Sequence, residues 1–291
     1  MIEKKLKIAY LITAYHNYNH LKRLILALND NNVFFYIHID KNSMMPTNLN
    51  EFKNIRFIKR NKVWWAGWSH QKAILRLMSE AVKHKNDYYA LISGSDYPIK
   101  NNNYFYSLLN EGGEFISIKE GFPSEMKKGW ITNFYFDLFY RRKPNKPFWI
   151  KIFLRLEKKI SFYFPKTKFP FEKVFFGPTW WVLSHSAIVF ILDFIDSNPR
   201  FKMFFKHSYC CEEILIPTII GNSEITNLKG NLTYVDWSTH PGPAFVSEKH
   251  LEIFKGKYLQ NEDGDANVFF ARKFKNEDTI LLDYIDNNLR I

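Results

Sequence analysis

Hydrophobic positions in the first third of the chain fall alternately into short runs and longer stripes of helical period. Residues 6–14 form an apolar run of strand length, and residues 18–29 place Leu21, Leu24, Ile25 and Leu28 on one helical face. Residues 33–39 are β-branched and aromatic, so they predict a second strand, and residues 55–58 predict a short third one. Residues 69–84 carry Ile74, Leu77, Met78 and Ala81 as a helical stripe. Residues 88–92 predict a strand that ends in the turn Ser93-Gly94-Ser95-Asp96-Tyr97-Pro98, and residues 115–118 predict one more. This rhythm predicts an α/β fold with a mostly parallel sheet covered by helices. Ligands in such folds bind beyond the carboxyl ends of the strands, which here carry Tyr15, Asp40 and Asp96. No Gly-x-Gly-x-x-Gly follows the first strand and no P-loop is present, which argues against dinucleotide and Walker-type nucleotide binding.

The middle of the chain changes character. Residues 139–173 hold eleven Lys or Arg, two Glu, ten aromatic residues and four prolines. Trp149, Ile152, Phe153, Leu156 and Ile160 recur there at helical spacing, with Lys151, Arg155 and Lys158 on another face. Such a helix fits either an anionic membrane surface or a lid packed on the body of the protein. Beyond it, residues 174–184 form an interrupted apolar run, and helical patterns cover 187–197 and 212–220, the second containing Pro217. Residues 232–236 predict a strand, and residues 276–288 predict a closing helix.

Composition narrows the class of partner. At 46% hydrophobic and 24% charged residues, the 291-residue chain reads as a folded protein large enough for a substantial core. A net charge of +12 favours anionic partners without choosing among nucleic acid, membrane and phosphorylated substrates. No recognised nucleic-acid motif accompanies that charge. The only cysteines, Cys210 and Cys211, are adjacent, so they form no disulfide framework and point to a reducing, cytoplasmic setting. The apolar stretch 8–14 is too short to span a membrane.

Several residues have chemistry to offer, each beside a plainer role. Asp40 and Asp96 follow strands, where a carboxylate either contacts a nucleotide or caps a turn. The positions before Asp96 are Gly94 and Ser95, so the paired carboxylates that hold a divalent cation are missing, and no cofactor or metal is expected. Arg272 and Lys273 can stabilise a departing diphosphate, or simply be a solvated pair. Glu212 and Glu213 open a helical pattern, where acidic residues favour the helix dipole and where one can serve as a general base. Trp64, Trp65, Trp68, Trp180, Trp181 and Trp237 either stack on sugars and bases or fill the core.

Taken in order, these pieces resemble glycosyltransferase family 14, the core-2/I-branching N-acetylglucosaminyltransferases and peptide O-xylosyltransferases. The matching segments are 9–15, 36–41, 65–69, 91–99, 177–183, Glu212-Glu213 with Thr218, 234–237 and 270–274. The resemblance implies a GT-A-like single domain with a Rossmann-like nucleotide-binding half, inversion at the anomeric carbon and no metal. It implies Glu213 as catalytic base, and Tyr15, Asp40, Trp65, Asp96, Arg272 and Lys273 as donor-binding residues. Trp180 and Trp237 become the acceptor- or sugar-binding residues. On this basis residues 1–120 are the nucleotide-binding half, 121–176 a basic aromatic insertion or lid, and 177–291 the acceptor and diphosphate half. The expected reaction moves GlcNAc, β-linked, from a UDP-sugar to a glycan or lipid-linked glycan. UDP-xylose or UDP-glucose as donor, or a non-catalytic carbohydrate- or nucleotide-binding module, are the alternatives. Unlike eukaryotic members, the chain shows no membrane anchor and no disulfides, Thr179 precedes the paired tryptophans, and an upstream Arg of the branching enzymes has no clear match. It therefore resembles a bacterial-type member acting in the cytoplasm, with peripheral contact at the inner face of the membrane.

Overall fold

Alternation along the first strand dictates the layering. β1 (Ile8–Ala14) sends Ile8, Tyr10 and Ile12 into one core, together with Leu21, Leu24, Ile25 and Leu28 of α1 (Tyr18–Leu28), and sends Ala9 and Leu11 into another. A strand buried on both faces must be central and covered on each side. Each of those α1 side chains is essentially fully buried, contributing roughly 1.5–3 kcal/mol. β2 (Val33–Ile39) and then β3 (Ile55–Phe57) lie parallel on one side of β1. α2 (Trp68–Ala81) covers the second face with Ile74, Leu77, Met78 and Ala81, and β4 (Tyr88–Ser93) pairs parallel on the other side of β1. The computed structural model describes residues 6–122, 125–138, 147–163, 166, 169–239, 242–256, 258–261, 264–275 and 278–291. Parts of the basic segment 139–173 and of the expected closing helix therefore lie outside the described residues.

The stretch read as a turn after β4 is only partly one. Gly94 and Ser95 turn, and β5 (Asp96–Pro98) then runs as a strand. A side chain at Gly94 would press on the Ala14 methyl, so the close approach of the two strand ends requires glycine there. α3 (Asn102–Asn110) follows, capped by the Asn101 side chain, which accepts from the Tyr104 amide at 2.9 Å. The strand expected at 115–118 does not form. Phe115 makes only an isolated bridge, exchanging hydrogen bonds with Val182.

Short elements occupy the middle: β6 (Lys119–Glu120), α4 (Glu125–Thr132), α5 (Phe148–Tyr163), and β7 (Phe175–Phe176), which pairs with β6. β8 (Trp181–Ser184) adds the antiparallel edge to an otherwise parallel five-stranded sheet of order β3-β2-β1-β4-β8. α6 (His185–Ser197) and α7 (Pro199–Lys206) follow. The helix expected at 212–220 is split into a 3₁₀ turn, Cys211–Glu213, and α8 (Leu215–Gly221). Pro217 falls in the first turn of α8, where its missing N–H has no intrahelical partner to lose.

β9 (Thr233–Val235), α9 (Leu251–Phe254), the hairpin β10 (Tyr258–Asn261) and β11 (Gly264–Asn267), β12 (Phe270–Arg272) and α10 (Thr279–Asn288) complete the chain. β12 lies between β5 and β9 in a small second sheet, which joins three distant segments. The result is a mixed α/β, GT-A-like domain. Among the described residues, no helix is long and apolar enough to cross a membrane.

Candidate active site

Parallel pairing aligns the carboxyl ends of β1, β2 and β4. The Asp40 amide donates to the Ala14 carbonyl at 3.0 Å and the Gly94 amide donates to the Thr13 carbonyl at 2.9 Å, so Tyr15, Asp40 and the 93–96 turn share one edge. Asp40 is buried, and its Oδ1 accepts from the amides of Asn42 (3.0 Å) and Val63 (3.3 Å), which orders the loop beyond β2. A depression of about 440 Å³, lined by Lys7, Phe34, Lys53, Arg56 and Lys85, lies at the opposite, amino edge of the sheet and includes none of the candidate residues.

The second sheet supplies the charge. Its register sets Arg272 opposite Asp96 on one side and opposite Val235 on the other. Asp96 is fully buried, and its carboxylate accepts from the Ser93 amide (2.7 Å) and the Ser93 hydroxyl (2.6 Å). Arg272 Nε lies 3.5 Å from Asp96 Oδ1, and its guanidinium carbon lies 4.1 Å from the centre of the Trp180 ring. Burial pushes the Arg272 guanidinium down, and Asp96 and Tyr15 pull it back. A guanidinium starts so high that it stays charged. Burial and then the charge of Arg272 also push Lys273 down, while Asp96 opposes them. The Lys273 ammonium sits 5.4 Å from the Phe245 ring centre.

Two neighbours sense this cationic pair. Burial raises the Tyr15 phenol while Arg272 draws it down, and burial lowers His16, with Lys273 adding to the effect. Tyr15, Asp96, Trp180, Arg272 and Lys273 therefore form one electrostatic unit.

Trp65 and Glu213 lie on two segments that meet through their backbones. Ala66 (φ 60°) and Cys210 (φ 48°) are both buried in the left-handed region, a costly conformation for a residue with a Cβ, and the Cys210 amide donates to the Ala66 carbonyl at 2.8 Å. This contact holds the Trp65 loop against the turn that carries Glu213. The Trp65 ring is partly exposed and meets Tyr209 edge-on. The Gly177 amide donates to the Glu213 carbonyl at 2.9 Å, tying the Glu213 turn to the strand that leads to Trp180. A side chain at Gly177 would overlap the Ser117 carbonyl, so this crossing also requires glycine.

The adjacent glutamates divide. Glu212 is buried, with Oε1 3.3 Å from His70 Nδ1, whereas Glu213 is half-buried. Among the described residues, Glu212 Oε2 has no hydrogen-bond partner.

Trp237 is exposed just beyond β9, and its neighbour Asp236 is anchored firmly. The Asp236 carboxylate accepts from the Ser238 amide at 2.8 Å, meets His250 Nε2 at 2.8 Å and pairs with Lys249 at 3.2 Å. Ser238 and then His250 hold it well below the usual carboxylate range. Sequence reasoning missed His250, Phe245 and Ser93. Only Ser93 lies inside a recognised segment; Phe245 comes from a loop and His250 from the short 3₁₀ turn before α9, neither with a periodic pattern.

Residues 8–261 match the family model described as Core-2/I-Branching enzyme. The chain is 25% identical over 309 residues to Beta-glucuronosyltransferase GlcAT14B of Arabidopsis thaliana, covering 97% of this chain and 66% of that protein. It is 25% identical over 298 residues to GlcAT14A of the same plant, covering 92% and 61%. It is 22% identical over 295 residues to Xylosyltransferase 2 of Canis lupus familiaris, covering 92% and 32%. The chain thus spans about two thirds or less of the length of these relatives.

Proposed function

The chain belongs to the Core-2/I-branching enzyme family, and from that premise we propose that it is an inverting, metal-independent glycosyltransferase acting from a UDP-sugar on a glycan hydroxyl. The observation that carries this reading is Arg272, set between the Asp96 carboxylate and the Trp180 ring with Lys273 next in the chain. Residues 1–120 act as the nucleotide half and 177–291 as the acceptor and diphosphate half, with 121–176 inserted between them. Tyr15, Asp40, Trp65 and Asp96 serve the donor side, and Trp180 and Trp237 the sugars.

In the transfer, the acceptor oxygen attacks the anomeric carbon from the face opposite the leaving group. Glu213 takes the hydroxyl proton as the new C–O bond forms. The bond to the diphosphate oxygen breaks with its electron pair, and Arg272 and Lys273 stabilise the negative charge on the leaving UDP. One base and no nucleophile give inversion. The Asp96 carboxylate is already committed to Ser93 and Arg272, which supports fixed cations rather than a divalent ion as the counter-charge.

UDP-GlcNAc is the favoured donor, with surface polysaccharide or lipid-linked glycan made at the cytoplasmic side as the setting. UDP-xylose and UDP-glucose are the alternatives, and the names of the relatives add UDP-glucuronic acid. A panel of these UDP-sugars scored for UDP release, with and without EDTA, tests the reading. Release that EDTA leaves unchanged is expected. Loss of release in EDTA with recovery in Mn²⁺ would replace the metal-free mechanism. Nucleotide binding without release from any sugar would favour a non-catalytic binding module.

A further inference from the structure

Of its apolar stripe the basic aromatic helix turns only Phe153 inward, and Trp149, Ile152, Leu156 and Ile160 stay exposed. α5 docks through its other face: the Phe153 ring meets Phe136 at 5.9 Å, Glu157 is buried with Oε1 accepting from the Phe136 amide at 2.6 Å, and Ser161 Oγ accepts from the Phe134 amide at 2.7 Å. Phe148, Ile152, Leu156 and Ile160, each four residues apart, remain 73%, 39%, 51% and 39% exposed, with Trp149 and Tyr163 also exposed. At about 100° per residue this apolar set spans an arc of about 120°, and Lys158, Lys151 and Arg155 flank it on one side with Lys159 inside it. All four cations are exposed, and the one acid of the helix, Glu157, faces the body.

A helix with an outward apolar arc, a cationic flank and no outward acid fits a surface that is apolar within and anionic at its rim. We propose that the outward face of α5 lies in the interface of an anionic lipid bilayer, with the helix axis in the membrane plane. Its sixteen residues and its charges exclude a spanning role.

The strap beneath α5 connects this face to the site. Asp137 accepts from the Ser69 amide and, at 3.2 Å, from the Ser69 hydroxyl at the start of α2, and Tyr135 packs on Tyr209, which meets Trp65. The segments that carry Trp65 and Glu213 are thereby tied to the lipid-bound helix. Resting on the transferase reading, this favours an acceptor whose glycan is attached to lipid.

Co-sedimentation of the full chain with phosphatidylcholine vesicles, with and without phosphatidylglycerol, tests the proposal. Pelleting is expected with the anionic vesicles and should fall as salt rises from about 0.05 to 0.5 M. The double substitution Ile152→Ser/Leu156→Ser should weaken partitioning at least about tenfold. Lys151→Gln/Arg155→Gln/Lys158→Gln should remove up to about a hundredfold of the preference for anionic lipid. Unchanged far-UV circular dichroism and UDP affinity show that the variants are folded. The proposal is overturned if the wild type does not pellet, or if the serine variant pellets like wild type. Sedimentation velocity showing a dimer that these serines dissolve would instead assign the face to a second copy. UDP release to a water-soluble acceptor should be untouched by the serine variant. Failure of that reaction in the wild type would count against the transferase reading and leave the membrane contact standing.

Discussion

The guanidinium of Arg272 rests 4.1 Å from the centre of the Trp180 ring while its Nε lies 3.5 Å from the Asp96 carboxylate. Ring face and carboxylate together hold a cation in place before any ligand arrives, which lowers the ordering cost of binding. Arg272→Ala is expected to weaken UDP binding by about 10- to 100-fold, the value of one or two charge-assisted hydrogen bonds. Arg272→Lys should restore little, because an ammonium neither stacks on the ring nor offers a planar fork. Isothermal titration with UDP measures both variants: an affinity unchanged in Arg272→Ala would remove Arg272 from the donor site, and one unchanged in Arg272→Lys would show that charge alone suffices.

Glu213→Gln separates chemistry from binding. The amide keeps the shape but cannot accept the acceptor's proton, so transfer should fall by about 10²- to 10⁴-fold. UDP affinity should stay within about threefold, since the base acts on the acceptor oxygen. UDP release and titration on the same preparation give both quantities. The neighbouring Glu212 is the control: it is buried against His70, so Glu212→Gln should act through stability and lower the melting temperature.

The large sheet could be read from sequence because β1, β2 and β4 are continuous apolar runs, and α1 and α2 show clean stripes of Leu21, Leu24, Ile25, Leu28 and Ile74, Leu77, Met78, Ala81. Of the second sheet only β9 is legible, as the strand predicted at 232–236; β5 and β12 have three residues each, too few to show a period, and the pairing of all three is non-local. Arg272 and Lys273 were identified as a motif, but their setting opposite Asp96 depends on that pairing. The apolar residues 115–118 mislead for a related reason. Phe115 bridges Val182, but the Ser117 carbonyl faces the backbone at Gly177, so no ladder continues. Conversely, four of the five stripe residues of α5 share its exposed face and Phe153 turns inward, because periodicity alone does not say which way a stripe faces.

His38 makes stability depend on pH in a defined window. It is buried, with Nε2 accepting from the Asn61 amide at 3.1 Å, and burial lowers its pKa from 6.5 to about 4. The unfolded chain therefore takes up a proton at a higher pH than the folded one. Stability is fully present above about pH 6.5, is lost as pH falls toward 4, and is flat with respect to this group below that. The loss amounts to about 3 kcal/mol over the window. Urea unfolding at pH 7, 5.5 and 4.5 should show this slope, and His38→Gln, which keeps an acceptor for Asn61 but does not titrate, should flatten it. An equal slope in both proteins would show that other groups dominate.

Asp236 offers a test of whether Trp237 is an acceptor platform or merely an exposed ring. Its carboxylate is fixed by Ser238, Lys249 and His250, and its carbonyl accepts from the Ala244 amide at 2.7 Å, so both flanks of Trp237 are tied down. Asp236→Asn keeps the volume but loses the charge that orders these partners. If Trp237 stacks on the acceptor, the variant should raise the acceptor KM several-fold while donor affinity stays near wild type, because the groups around Arg272 are untouched. Trp237→Ala should have the same signature and a larger effect, about 10- to 100-fold by the usual worth of a stacked ring. The acid limb of stability gives an independent readout. Because the native carboxylate is held low, its contribution is present above the ordinary aspartate range and is lost as pH falls through the depressed value. In Asp236→Asn that part of the limb should vanish. An Asp236→Asn variant that loses the limb but keeps the acceptor KM would make Asp236 a structural anchor only, and an unchanged acceptor KM in Trp237→Ala would leave Trp237 without a role in binding.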